Sequence, residues 1–238
     1  MNESPLQDRA QDPEISVFVL AYNEVANLAA SVAELAAVLA GLGRSYELVI
    51  VDDGSTDGTG PLADEIASAT PNTLAIHHPI NLGLGGVYRT GFAQARGLYL
   101  TFFPADGQFP ATIIPQFLAR TPEADLVLGY IPQRNSSWLA KGLSTTERLL
   151  YRALFGTFPK FQGIFLLRRQ ILTEIPLHSQ GRGWAIVMEM ILRVSRGPYR
   201  VVHEVNALRP RMSGESKVNN LRNITANLRQ LVALRRQF

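Results

Sequence analysis

One segment constrains this chain more than any other. The β-branched run Val49-Ile50-Val51 breaks off into Asp52-Asp53-Gly54-Ser55-Thr56-Asp57-Gly58-Thr59, and a helical pattern follows. A parallel strand delivers acidic side chains in this way to the carboxyl edge of an α/β sheet, where ligands bind. Two adjacent acids at a strand tip suit recognition of donors on a base, a ribose or a cation. Ser55 or Thr56 is suited to cap the next helix, with Asp57 in its first turn. A helix cap plus a solvated turn would explain the same residues without any ligand.

Strand and helix signals alternate through the first half of the chain. Strands are expected over 15–20, 46–51, 74–77, 98–103 and 126–129. Helices are expected over 25–42, 56–69, 84–96 and 111–120. Repeated units of this kind predict an α/β fold with a mostly parallel twisted sheet and helices on both faces. The second half is less regular. Helical patterns fall at 139–155 and 184–195, strand patterns at 163–167 and 199–205, and a last amphipathic helix at 218–236. The organisation expected is a mobile tail over 1–14, one domain over 15–216, and a basic C-terminal helix over 217–238.

At 238 residues with 46% hydrophobic and 18% charged, the chain can bury a full core and is not expected to be disordered. It contains no cysteine, which excludes a disulfide framework, a thiol nucleophile and cysteine-ligated zinc. The net charge is +3, with the excess in the C-terminal third, so an anionic ligand or membrane surface is expected there. The first residues form no signal core, and no run approaches the roughly 18 residues needed to span a bilayer. A soluble or peripheral protein, cytoplasmic or on the cytoplasmic face of a membrane, is the expectation. In the last helix Leu221, Ile224, Leu228, Leu231 and Val232 share a side opposite Asn220, Asn223 and Asn227. Arg222, Arg229 and Arg236 border that stripe, which suits a helix lying on anionic lipid or one packed on its own domain.

Three strand ends carry polar chemistry to one edge: Tyr22-Asn23-Glu24, Asp52-Asp53, and Pro104-Ala105-Asp106-Gly107-Gln108. Between them Asn81-Leu82-Gly83-Leu84-Gly85-Gly86 enters a helix carrying Arg89. Its glycines allow close backbone approach, and the helix start suits phosphate. A dinucleotide-binding dehydrogenase would carry its glycines after strand one, where this chain has Tyr22-Asn23-Glu24. A receiver domain of roughly 120 residues would leave half the chain unexplained. A nucleic-acid binder would need a denser basic face with interleaved aromatics. His77 and His78 read as loop histidines, and Trp138 and Trp184 as core or interfacial anchors. Glu189 reads either as an ion-pair partner in a buried helix or as a site residue.

These motifs in this order resemble the inverting family 2 glycosyltransferases of the GT-A nucleotide-diphospho-sugar transferase fold, and within them the dolichol- or polyprenyl-phosphate sugar synthases. The likeness spans roughly residues 15 to 218 and includes Arg209-Pro210-Arg211-Met212-Ser213-Gly214-Glu215-Ser216-Lys217, similar to the family's Arg-x-x-Gly-x-Ser-Lys string. The resemblance implies hexose transfer from a UDP- or GDP-sugar to a polyprenyl phosphate or another glycan acceptor, with inversion. It implies that Tyr22, Glu24, Asp52 and Asp53 shape the nucleotide pocket, together with Asn81 and Gly83. Ala105 and Asp106 would lie at the ribose and diphosphate. Asp106 would hold Mg²⁺ or Mn²⁺, with Gln108 nearby. Arg211 and Lys217 would meet phosphate oxygens.

The chain also departs from the pattern. The acidic motif Asp-x-Asp reads Pro104-Ala105-Asp106, so its first carboxylate is missing. An arginine after strand five has become Ile131, with Arg134 three residues on as a substitute. A second family arginine falls at Ala140, beside Lys141, and a family aspartate falls at Pro159. Two readings follow: an enzyme working with a reduced set, or a nucleotide-sugar-binding partner subunit that has lost turnover.

Overall fold

The structure is a computed structural model, and it describes residues 12–131, 155–156, 159–210 and 234–235. The strands are β1 (Ile15–Ala21), β2 (Tyr46–Asp52), β3 (Thr73–His77), β4 (Tyr99–Pro104), β5 (Leu126–Tyr130), β6 (Phe165–Arg168) and β7 (Val201–Val205). The helices are α1 (Leu28–Gly41), α2 (Thr59–Ala69), α3 (Gly83–Gln94), α4 (Ile113–Leu118), α5 (Ile171–Glu174) and α6 (Ala185–Arg196). All seven strands form one sheet in the order β3-β2-β1-β4-β6-β5-β7. Every pairing is parallel except those of β6, which runs antiparallel to β4 and to β5. The expected α/β architecture is therefore present, and residues 163–167 contribute its one reversed strand.

Burial explains the layering. Every residue of β1 is buried, as a central parallel strand covered on both faces requires. On one face Leu28, Val32, Leu35 and Leu39 form a single stripe of α1 and pack with Phe117 of α4 and Ala63 of α2. On the other, Val87 and Tyr88 of α3 join Ile186, Val187, Met190 and Ile191 of α6 around Phe18, Phe102 and Phe165. The ring centroids of Phe18, Phe102 and Phe165 lie 5.0–6.0 Å from their neighbours in that cluster. From β1 the chain steps outward through β2 to β3, then crosses back to β4 on the other side of β1. That reversal opens the crevice where open α/β sheets bind ligands, between the carboxyl ends of β1 and β4.

Two boundaries differ from expectation for a visible reason. The helix expected from residue 56 starts at Thr59, and neither Ser55 nor Thr56 caps it. Ser55 Oγ instead accepts from Asn23 N–H, and Thr56 N–H donates to Asn23 Oδ1. Asp57 caps the start by accepting from Thr59 N–H, with Gly58 left-handed at φ 94°. The helix expected from residue 25 starts at Leu28, because Glu24 Oε2 accepts from Asn27 Nδ2 and holds a turn there.

The expected helices over 139–155 and 218–236 lie, apart from Phe155, Leu234 and Arg235, outside the described residues. Leu234 is buried against Phe155, Met188 and Leu192. At that point the chain packs on its own domain. No helix among the described residues is long and apolar enough to cross a membrane.

A Cβ placed on Gly91 would meet the Phe18 ring at 2.5 Å, in the centre of the α3 face. Gly91→Ala should lower stability by about 1–3 kcal/mol through overpacking. Urea unfolding of the full chain measures this, and an unchanged midpoint would show that the aromatic cluster yields.

Candidate active site at the carboxyl edge of the sheet

The turns after β1 and β2 are zipped together. Besides the Asn23 bonds, Glu24 N–H donates to Thr59 Oγ1 at 2.8 Å and Val25 N–H to Asp57 Oδ2 at 3.2 Å. Asn23 sits at φ 52°, a strained position that asparagine tolerates better than most residues and that these bonds hold. Tyr22, half-buried, leaves β1 between the tips of β2 and β4, since Asp53 N–H donates to Ala21 O and Ala105 N–H to Leu20 O.

The two acids of the opening segment point to opposite faces and are both held internally. Asp52 Oδ1 accepts from Ser55 N–H at 3.1 Å, and its Oδ2 lies 3.1 Å from His77 Nδ1. His77 Nε2 lies 2.9 Å from Asp64 Oδ1, so the imidazole bridges two carboxylates. Burial works against the imidazolium, but the hydrogen bonds and charges of Asp64 and Asp52 outweigh it and raise the His77 pKa. Asp53, 3% exposed, accepts from Leu82 N–H and Gly83 N–H at 2.8 Å each. Its Oδ1 also lies 2.7 Å from His78 Nδ1, whose Nε2 meets Thr90 Oγ1.

Asp53 is thus the anion at the start of α3. The glycines there admit the chain's own backbone. Gly85 N–H donates to Arg182 O at 2.9 Å, and a Cβ on Gly83 would meet the same carbonyl at 2.5 Å. The Arg182 guanidinium reaches Asn81 O and Oδ1, both at 2.6 Å. Arg89 donates to Gly181 O at 3.1 Å. The expected room for a phosphate at this helix start is therefore filled by residues 181–183, a correction to the sequence reading.

Glu189 resolves as an anchor. Fully buried, it accepts from His178 N–H, Ser179 N–H and Arg193. Desolvation pushes its pKa up, but these bonds prevail and lower it.

Asp106 occupies the facing side of the crevice. It is 6% exposed, at the first turn after β4, with its Oδ1 accepting from Gln108 N–H at 3.1 Å and Gly107 left-handed at φ 70°. Ser31 Oγ donates to Ala105 O, and Glu34 Oε1 accepts from Ala111 N–H, so α1 grips the turn at both ends. Pro104 is tolerated because β6 pairs with β4 only over Tyr99–Thr101, so no partner strand needs its missing N–H.

Beyond β7, Asn206 N–H donates to Tyr130 O, Asn206 Nδ2 to Gln162 O, and Arg209 N–H to Gln108 O. Asn206 is buried, filling the space left by Gly129 and Gly163. Its Oδ1 has no partner among the described residues. Ile131, just past β5, is half-buried, and so is Pro159, which lies in a groove with Leu192, Arg196, Tyr199 and Val201. Arg134, Arg211 and Lys217 lie outside the described residues.

Among the described residues no group of three histidines or acids could hold a cation unaided. One buried carboxylate in a tight turn still suits Mg²⁺ or Mn²⁺, which commonly takes one or two carboxylates and completes its shell with phosphate oxygens and water. The donor set therefore fits a cation arriving with a diphosphate.

Sequence reasoning missed His77, His78, Glu34, Arg182, Asn206 and Arg209. A signal existed for the first: in parallel register Asp52 stands beside His77. None exists for the pairings of Arg182 and Arg209, whose partners lie 101 and 175 residues away, although Arg209 heads the family-like string at 209–217.

The sequence profile described as Glycosyl transferase family 2 matches residues 16–179. A dolichol-phosphate mannosyltransferase of Saccharomyces cerevisiae is 29% identical over 217 residues, covering 87% of this chain and 81% of that protein. A polyprenol monophosphomannose synthase of Mycolicibacterium smegmatis is 32% identical over 185 residues, covering 72% and 70%. Among solved structures, glucosyl-3-phosphoglycerate synthase of Mycobacterium tuberculosis with Mn²⁺, UDP and glucosyl-3-phosphoglycerate superposes with TM-score 0.66 at 21% identity. It covers 93% of this chain and 78% of that one, and shares the fold.

Two stability measurements check this wiring. Glu189→Ala strands Arg193 and the 178–179 amides and should cost about 3–5 kcal/mol, read by chemical denaturation. A raised His77 pKa stabilises fully below the unfolded value of about 6.5 and ceases to do so as pH rises through the folded value. The stability gap between wild type and His77→Ala should therefore narrow from pH 6 to pH 9, and a constant gap would contradict the bridge.

Proposed function

The chain belongs to glycosyl transferase family 2, a family of glycosyltransferases, and from that premise we propose that it moves a hexose from a UDP- or GDP-sugar to a polyprenyl phosphate with inversion. The observation that carries the acceptor is the match to a dolichol-phosphate mannosyltransferase and a polyprenol monophosphomannose synthase over 87% and 72% of this chain. Fold neighbours that hold Mn²⁺ with UDP support a nucleoside diphosphate donor.

Tyr22, Glu24 and Asp52 line the base side in this reading, and Ala105 and Asp106 meet the ribose and diphosphate. Asp53, Asn81 and Gly83 act through the loop they hold. Asp106, with Gln108 beside it, would hold Mg²⁺ or Mn²⁺, and the cation when bound would supply positive charge to the departing nucleoside diphosphate. The acceptor phosphate is already an anion at neutral pH, so no side chain need remove a proton. A phosphate oxygen attacks the anomeric carbon from the face opposite the diphosphate. One carbon–oxygen bond forms as the other breaks, which inverts the centre. Arg134, Arg211 and Lys217 supply cationic donors to phosphate oxygens. Arg222, Arg229 and Arg236 suit peripheral contact with an anionic membrane on its cytoplasmic face.

The second reading, a nucleotide-sugar-binding partner without turnover, rests on Pro104, Ile131 and Pro159 standing where the family pattern has an acid, an arginine and an acid. Calorimetric titration and radiolabelled transfer separate the two. Mn²⁺ alone should bind weakly, and Mn²⁺ with UDP or GDP should bind well to wild type but at least about tenfold more weakly to Asp106→Ala. Sugar transfer to polyprenyl phosphate supports the enzyme. Binding without transfer across UDP- and GDP-sugars supports the partner.

A further inference from the structure

The Asp106 turn is held from outside the crevice by a pair joining Glu34, which no motif includes, to Arg209, which heads the family-like string at 209–217 but has no role assigned by that likeness. Ser31 and Glu34 lie one helical turn apart on α1 and take the two ends of the turn, Ala105 O at 2.8 Å and Ala111 N–H at 3.0 Å. The Arg209 guanidinium forks onto the Glu34 carboxylate, Nη1 to Oε2 at 2.9 Å and Nη2 to Oε1 at 3.1 Å. Arg209 N–H donates to Gln108 O at 2.8 Å, while Gln108 N–H caps Asp106 Oδ1. Glu34 thus receives both the turn and the chain that leaves β7. A small cavity of about 10 Å³ lies between the turn and α1, bounded by Ser31, Glu34, Leu35, Phe103, Phe109 and Ala111.

We propose that Glu34 and Arg209 are positioning residues that fix the Asp106–Gln108 turn in the geometry that accepts a cation-bound nucleoside diphosphate. The inference rests on the donor chemistry of the proposed function. The pair's exposure makes it specific: Arg209 and Glu34 side chains are 45% and 32% exposed, and such pairs add little to global stability. A bidentate Arg–carboxylate fork that contributes little to stability still sets orientation. Asp106 is a lone carboxylate in a motif that otherwise has two, so its aim is not shared with a neighbour.

Isothermal titration of the full chain with Mn²⁺–UDP and Mn²⁺–GDP, alongside thermal melts, tests it. Glu34→Ala and Arg209→Ala should each weaken binding of the preferred probe about tenfold, and the double variant should be no weaker than Glu34→Ala. Glu34→Gln keeps an oxygen for Ala111 N–H and Arg209 and should bind within about twofold of wild type. Melting temperatures should stay within about 4 °C throughout. Glu34→Ala binding as wild type does, Glu34→Gln binding as weakly as Glu34→Ala, or weakened binding that tracks a large fall in melting temperature would each overturn the inference. Wild type binding neither probe would overturn the donor reading, and this inference with it.

Discussion

The carboxyl edge depends on one buried carboxylate. A helix start leaves backbone N–H groups unmet, and here Asp53 reaches from the end of β2 to meet two of them at Leu82 and Gly83. Burying that charge is costly unless it is paired, and each charge-assisted bond returns roughly 1.5–3 kcal/mol. The bond to His78 completes the set and ties β3 to the same point. With α3 fixed, its glycines accept the 181–183 backbone, Arg182 locks that segment to Asn81, and Glu189 ends the chain of contacts inside α6. An anion-binding device is thus spent internally to join two distant parts of the chain.

This moves the ligand chemistry. With the start of α3 filled, the open crevice lies between the tips of β1 and β4, at the point where strand order reverses. The two sides of that crevice are built differently. The β2–β3–α3 side is a network of buried carboxylates with their donors, rigid by construction. The β4–β5–β7 side is a set of turns held by a few bonds each from Ser31, Glu34, Asn206 and Arg209. Of the departures from the family pattern, Pro104 and Ile131 stand at the ends of β4 and β5 on this second side, where a substitution strands fewer partners, while Pro159 lines a groove with Arg196, Tyr199 and Val201.

The sheet and its edge were legible because β1, β2 and β4 are apolar runs ended by polar turns, and parallel order forces those turns together. The reversed strand β6 was legible as a strand but not in direction, since an apolar run of four carries no sign of its neighbours. The acids of 52–53 were readable as important, but their internal partners were not: His77 and the Ser55 amide for Asp52, His78 and the amides of Leu82 and Gly83 for Asp53. Register could have paired His77 with Asp52. The glycines at 83 and 85 signalled a close approach, and only the fold shows that the approaching group is residues 181–183. The partners of Arg182 and Arg209 were not legible, although Arg209 stands in the family-like string at 209–217, because long-range pairing of an exposed arginine leaves no local pattern.

The altered positions are also balanced in charge. Against the family pattern the chain lacks acids at Pro104 and Pro159 and arginines at Ile131 and Ala140. Two negative and two positive charges are gone, so the formal charge of the region is unchanged. Random decay of a nucleotide-sugar site would not be expected to preserve that balance. Removing one member of a close pair leaves the other unpaired at a cost of several kcal/mol, whereas losing both is nearly neutral. The site that remains has one acid, Asp106, to share with a cation, a diphosphate and an anionic acceptor. A second carboxylate would help to hold the cation but would also repel the phosphates. In the proposed reaction a single acid, aimed by the contacts of its turn with Ser31, Glu34 and Arg209, would keep the first role with less of the repulsion.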